Sequence, residues 1–535
     1  MGELREPLKK PKKVLFIAYF FPPLGGSGVQ RTLKFVKYLP QFGVQPLVST
    51  VRNGHNFAYD ESLLGEVPAS VRVFRSNSLE TLWLRKVIEK VAHRGRGTQA
   101  EANAASASGA ASASGAASAS DAGGASGAPA RVGAIGVKLK GTDAQVEEKG
   151  PGPSLQAGAS GVPARAKEDA TGVPARAKED ASGTIKQRIF DLIDDYLFIP
   201  DSKVRWLPLG FLSSGRVARR EKIDVLFSSS YPYTVHIMAL LVQKVHRCPW
   251  IADFRDPWVG NEAMAKDIAF RRKLDAWLEG KVVKNASYVV NVTPSITEMY
   301  RARYPEYREK FVTITNGFDP QDFARVVPHA FAKFTLIHTG ILSKKRSPET
   351  LVRGLEGLVS ERPELRDKIQ VVFVGYIPEE FRQMFKESAV ADLFEVWPYV
   401  PHSVCLNYLA GAQLQLLIFD DSPETKAAYS GKIFDYIGAQ KPILGFLPEG
   451  VAADLIREKG IGSVVGIGDV EGAQAALARH YEEWANGVRT IDSVERCAEF
   501  SRVSLAGQLA ELIESASRAV EAKQQYRKAR EPELR

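Results

Sequence analysis

The stretch SGKIFDYIGAQKPIL at residues 430–444 puts a serine and a glycine in front of a lysine and, one helical turn past the glycine, an aspartate. Ser430 and Gly431 stand where a helix should begin, and the free amides and positive dipole end of a helix start favour an anion. Lys432 adds a point charge at the same place. Asp435 is a carboxylate that can accept bonds from the hydroxyls of a ligand held there; the plainer reading of Lys432 and Asp435 is a solvated ion pair at i and i+3. HTGILSKKRSP at 338–348 repeats the arrangement, with Thr339 and Gly340 at a strand end and the cations Lys344, Lys345 and Arg346 behind them. A solvated basic turn is the plainer reading there. A third candidate is FFPPLGGSGVQR at 20–31: Pro22 and Pro23 end a strand, Gly25, Gly26, Ser27 and Gly28 turn the chain, and a helix carries Arg31. Glycines let the backbone turn sharply and approach a ligand closely, so Gly26, Ser27, Gly28 and Arg31 are read as an anion site, with a glycine turn that holds no ligand as the plainer reading. A dinucleotide fingerprint does not fit, because Arg31 occupies the place of its last glycine and no acid ends the following strand, PLVST.

WIADFRDPW at 250–258 brings three charges, Asp253, Arg255 and Asp256, to the end of a buried strand. Charges at that edge are expected only when they are paired or functional. Asp253 or Asp256 would orient or deprotonate a hydroxyl, with Arg255 lowering the carboxylate pKa as a near positive charge does; an internal Asp–Arg salt bridge is an equal alternative. His236, early in the helix after LFSSSYPYT, is a further titratable group, for which a packed or exposed histidine is the plainer reading.

These residues must be held by strands and helices in alternation. Strands are expected at 14–18, 46–50, 71–75, 224–230, 250–254, 288–293 and 311–316, and a second series at FTLIHTG, IQVVFVG, FEVWPYV, QLQLLIF, PILGFL and SVVGI, with helical stretches between most of them. Two such series predict two Rossmann-like, doubly wound α/β domains, which bind ligands at the carboxyl ends of their strands, so the active site is expected in the cleft between them. The expected boundaries are 1–94 and 184–325 for the first domain, 326–500 for the second, and 501–535 for a C-terminal helix and basic tail. Asn316-Gly317 and Asp319-Pro320 read as the turn into the interdomain linker. Residues 95–183 interrupt the first domain with a run of Ala, Ser and Gly and the tandem GVPARAKEDAT and GVPARAKEDAS. Too few apolar groups remain there to offset ordering entropy, and the segment is expected to be disordered.

The whole chain has 535 residues, 25% of them charged and 44% hydrophobic, which are ordinary globular values. A surplus of nine positive charges suggests acidic partners. No apolar run has the length of a membrane span and MGELREPLKKPKK lacks a signal-peptide core, so the expected location is cytoplasmic. The basic start, RWLPLGFLSSGRVARR at 205–220 and QQYRKAR near the end would equally suit peripheral docking on the anionic inner face of a membrane or serve solubility alone. Nucleic acid is not an expected partner, because no basic stretch is interleaved with aromatic residues. Cys248, Cys405 and Cys497 are odd in number and far apart, which indicates neither disulfides nor zinc.

YFFPPLGGSGVQR, FIPDSKVRWLP, DVLFSSSYPYTVHIMA, PWIADFRDPW, TNGFDPQDF, HTGILSKKRSPETL and SGKIFDYIGAQKPIL follow the order and spacing of bacterial glycosyltransferase family 4-like enzymes, which this chain resembles over most of its length. The resemblance implies the GT-B fold, with two Rossmann-like domains facing a cleft and the nucleotide sugar held mainly by the second. It implies transfer of a sugar, with retention, from a nucleoside diphosphate donor to a hydroxyl of a carbohydrate or lipid-linked acceptor, in surface polysaccharide or glycolipid synthesis. Arg346 and Lys345 then neutralise the donor diphosphate, and Asp435 takes the place of the second of two family glutamates, the one that binds ribose. The first is absent, since Ala427 occupies its place, and Glu424 is a nearby substitute. No Asp-x-Asp occurs in the chain, so no metal or other cofactor is expected, with the sugar nucleotide as co-substrate and cationic side chains in a metal's charge-neutralising role. A sugar-nucleotide epimerase of the same fold and a binding-only relic are the alternatives.

Overall fold

The computed structural model describes residues 11–54, 59–79, 198–261, 268–488 and 490–530. One compact unit takes in Met1–Thr81 and Lys167–Arg535; the other, Leu82–Ala166, lies outside the described residues, as do the expected insertion at 95–183 and the basic residues 1–10. In the first half of the described unit lie β1 (Lys12–Ile17), β2 (Val44–Val51), β3 (Arg72–Ser76), β4 (Val225–Ser229), β5 (Trp250–Phe254), β6 (Tyr288–Asn291) and β7 (Phe311–Thr313). They form a parallel seven-stranded sheet in the order β3-β2-β1-β4-β5-β6-β7. The second half holds β8 (Phe334–Thr339), β9 (Ile369–Val374), β10 (Phe394–Trp397), β11 (Leu414–Ile418), β12 (Ile443–Phe446) and β13 (Gly462–Val465). These form a parallel six-stranded sheet, β10-β9-β8-β11-β12-β13. All the expected strands are present, with ends that move by a few residues. FEVWPYV, for example, stops at Trp397, before Pro398, which has no amide to donate to a ladder.

The strands are apolar on both faces because helices cover both. Within β1, Val14 and Phe16 enter one core and Leu15 and Ile17 the other. The main helices among the described residues are α1 (Ser27–Tyr38), α2 (Leu207–Glu221), α3 (Thr234–His246), α4 (Ala269–Asn285), α5 (Pro294–Arg303), α6 (Glu349–Glu361), α7 (Glu379–Glu387), α8 (His402–Gly411), α9 (Gly431–Ala439), α10 (Val451–Lys459), α11 (Val470–Ala485) and α12 (Arg502–Arg530). None is long and apolar enough to cross a membrane.

The last helix belongs to the first core. Leu505, Ala506, Leu509 and Ile513 of α12 are buried with Val14, Phe16, Phe35 and Val36. The returning chain runs beside the outgoing linker: Phe318 N donates to Phe500 O at 3.1 Å, and Arg502 N to Phe318 O at 2.8 Å. A side chain at Gly317 has no room, since a Cβ there would lie 1.9 Å from Phe500 O.

Candidate active site

At the carboxyl end of β8 the chain passes through Gly340 at φ 91°, a left-handed conformation that favours glycine. Its amide bonds Val374 O at 2.7 Å, and a Cβ would come within 3.1 Å of Lys432 Cε. Beside it His338 is buried, and its Nδ1 lies 3.1 Å from Leu416 O on β11. A carbonyl only accepts, so Nδ1 carries the hydrogen and Nε2 presents its lone pair to Lys432 Nζ, 2.9 Å away. The ammonium also donates to Ile341 O at 3.2 Å. Burial, and then the nearby Arg346 charge, pull the Lys432 pKa down to about 7. Burial, followed by the Lys432 charge, also holds His338 well below its ordinary range, so this imidazole is neutral.

Lys432 is carried by the first turn of α9, where Ser430 is the N-cap and its Oγ accepts from Lys432 N at 3.3 Å. Space is open next to Gly431. One turn on, Asp435 Oδ2 lies 3.3 Å from His402 Nε2, a residue of α8. Burial lowers the His402 pKa, but the Asp435 carboxylate more than offsets it and holds the group up at about 9. Arg346 reaches the same end of the sheet, with Nε 3.3 Å from Asp420 Oδ2 and its guanidinium 5.2 Å from the Phe419 ring centroid. Lys345 points into solvent, and Lys344 pairs with Glu380 at the surface. Gly340, Arg346, Ser430, Gly431, Lys432 and Asp435 therefore gather at one sheet edge. The Lys432–Asp435 ion pair weighed from the sequence is not formed, because each has a different partner.

In the first half Gly26, at φ 89°, is the N-cap of α1, with no side chain capping the helix. Ser27 and Gly28 begin that helix as the spacing predicts. Arg31 does not face a ligand. Its side chain is fully buried, binding Asp253 through Nε at 3.0 and 3.1 Å and Nη2 at 2.8 Å. The remaining donors go to Thr315 O at 2.6 Å and Ile314 O at 2.8 Å. Ser229 Oγ donates to Asp253 at 2.6 Å, which fills the carboxylate. The internal salt bridge is thus the arrangement Asp253 adopts, but with Arg31 in place of Arg255. Arg255 instead donates to Gly28 O, and burial holds its pKa below the usual arginine range. Asp256 is half-buried at the strand exit. His236 is buried against the Phe254 ring, 4.5 Å between centroids, with Nδ1 2.8 Å from Ser228 Oγ; burial keeps it neutral, with a pKa near 3. It packs the core and does not reach a ligand.

Several residues at the site escaped the sequence reading. His338 directly precedes the Thr339-Gly340 turn and His402 follows FEVWPYV and Pro401; the signal for His338 was a titratable residue inside the strand FTLIHT. Asp319 N-caps the short helix Pro320–Phe323 and is more than a turn. Lys34 Nζ lies 2.7 Å from each of Glu66 Oε2, Asp319 Oδ2 and Asp322 Oδ1, and Lys37 joins Glu66 at 3.1 Å and Asp319 at 3.0 Å. Glu66, Asp319 and Asp322 could by their spacing hold a metal ion, but the Lys34 ammonium occupies their centre. The backbone of Ala427 accepts a bond from Thr293 Oγ1 of the first half at 2.8 Å.

Residues 172–322 match the family described as Glycosyltransferase Family 4. No curated protein matches the sequence as a relative. Among solved structures the chain is similar to a glycosyltransferase from Rickettsia africae ESF-5, with a TM-score of 0.52 at 10% identity over 95% of this chain and 98% of that one. It is also similar to Anabaena Alr3699/HepE in complex with UDP, with a TM-score of 0.50 at 11% identity over 94% of this chain and 100% of that one. Likeness at these identities shows the fold, which is GT-B.

Proposed function

We propose that the chain, which has the GT-B fold and matches Glycosyltransferase Family 4 over residues 172–322, is a glycosyltransferase that moves a sugar from a nucleoside diphosphate donor held by the second half to an acceptor hydroxyl, with retention and without a metal ion. The observation that carries the reading is the cradle of Gly340, Lys432 and the start of α9, with Asp435 one turn along. Helix amides and an ammonium suit a diphosphate, and Asp435 suits the ribose hydroxyls next to it. In the transfer the bond from the anomeric carbon to the phosphate oxygen breaks, its electron pair leaving with the diphosphate, a bond to the acceptor oxygen forms, and the acceptor proton passes to a carboxylate. Charge grows on the departing diphosphate, so Lys432 and Arg346 stabilise the transition state more than the ground state. With Asp253 occupied by Arg31, Asp256 is the carboxylate of that strand end assigned to the acceptor hydroxyl. The UDP held by the Anabaena structure makes a uridine nucleotide the first donor to try.

The acceptor is assigned to the precursors of a surface polysaccharide or glycolipid, met at an anionic membrane face. Support comes from the neighbouring helices α2, α3 and α4, which expose Leu212, Leu241, Val245, Phe270 and Trp277 among Arg216, Arg219, Lys244, Arg272 and Lys273. Apolar side chains among cations suit the headgroup region. The test is release of nucleotide and of sugar-bearing product from a panel of UDP, GDP, ADP and dTDP sugars, with and without EDTA. Transfer that persists in EDTA is expected. An absolute need for magnesium or manganese would contradict the metal-free account, and a product still linked to nucleotide would replace transfer with epimerisation.

A further inference from the structure

Arg502, the first residue of α12, is 8% exposed, and its Nη1 has no hydrogen-bond partner. It stands where the two halves join, its amide tied to Phe318 O in the linker. The charges that act on it come from both halves: Arg31 and Arg255 repel it, Asp435 and Asp319 attract it. Neither acid forms an ion pair with it; the pairs these two make are with other groups. Asp435 faces His402, and Asp319 is held by Lys34, Lys37 and Tyr38. Arg31 is neutralised by Asp253, and Arg255 is fixed to the Gly28 carbonyl at the uncapped start of α1. Arg502 is therefore a nearly buried guanidinium with no ion-pair partner among the described residues and an unbonded Nη1. A buried ion without a counter-charge costs several kcal/mol, and a guanidinium fork matches the oxygens of a phosphoryl group.

We propose that Arg502 is a binding residue for a phosphoryl group of a bound substrate, seated between α9, the linker and the first turn of α1. The proposal rests on the reading of the chain as a glycosyltransferase only for the ligand's identity. Two sources have this chemistry, the diphosphate of the donor and a phosphate carried by the acceptor.

The experiment titrates inorganic phosphate and, separately, UDP into the full chain as wild type, Arg502→Gln and Lys432→Ala, with the melting temperature of each followed in phosphate and in chloride at equal ionic strength. We expect phosphate to bind the wild type and to raise its melting temperature, and both effects to fall at least tenfold in affinity terms in Arg502→Gln but to survive in Lys432→Ala. If UDP affinity also falls tenfold in Arg502→Gln, the group is the donor's; if UDP is unaffected, it is the acceptor's. An adventitious charge predicts the opposite, with phosphate and UDP binding unchanged in Arg502→Gln and the variant more stable than wild type, which would overturn the proposal. Should Arg502→Gln fail to fold, the wild type decides: no phosphate-specific rise over chloride overturns it. Loss of UDP binding to the wild type would remove the donor reading and leave the phosphate comparison intact.

Discussion

Lys432 has a pKa of about 7 because burial, and then Arg346, disfavour its charge. A bound diphosphate would favour that charge, so binding should take up a proton. The sign follows. Below pH 7 the ammonium is already formed and affinity is at its plateau; above it each unit of pH must first restore the proton, so affinity falls, by up to tenfold per unit. Calorimetry of a nucleoside diphosphate at pH 6.5 and 8.5 checks this, and Lys432→Arg, which stays charged, should flatten the profile. A flat profile in the wild type would show that Lys432 does not face the diphosphate. Arg31 and Asp253 teach the reverse lesson at the same scale. Their types and positions looked chemical, yet they meet across 222 residues of sequence and neutralise each other out of reach of solvent. Pattern shows that a charge at a strand end needs a reason, but the partner that supplies the reason is set by the fold.

The strands were legible because a parallel sheet covered on both faces must read as short apolar runs, and both glycine turns were legible because Gly26 and Gly340 take φ values that few other residues tolerate. The linker was not. Asn316-Gly317 reads as an ordinary turn, whereas Gly317 is required by the returning chain, whose Phe500 carbonyl leaves no space for a methyl group. Gly317→Ala is therefore expected to destabilise by about 1–3 kcal/mol or more, as overpacking does, read from a urea midpoint. A loss near zero would mean that the linker and the returning chain at Phe500 separate readily. Lys34 was hidden for a related reason: helical periodicity sets it apart from the apolar face of α1, and only the fold reveals that the surface it meets is the linker, 285 residues away at Asp319.

Across the whole molecule, that charge cluster fastens the linker to α1, and α12 returns from the second half into the first core. Burial raises the Asp319 pKa, but Lys34 and the other donors outweigh it and hold it down at about 2. A depressed carboxylate contributes stability that is present above its unfolded value, about 3.9, and is lost as pH falls toward 2. Acid unfolding should thus steepen between about pH 4 and 2, and Asp319→Asn should lower stability at neutral pH and remove that part of the acid transition; an unchanged acid limb would place the joint elsewhere. Two doubly wound domains could be read from the sequence, as could the residues of the second-half cradle. The return of α12 into the first core could not, because amphipathic spacing does not say which sheet a helix covers. The proposed function requires that the second half hold the donor nucleotide. Calorimetric titration of UDP, GDP, ADP and dTDP into wild type, Lys432→Ala and Asp435→Ala tests it most directly. Micromolar binding of one of them is expected, weakened tenfold or more, about 1.4 kcal/mol, by either substitution. Binding that neither substitution weakens, or no binding at all, would contradict it.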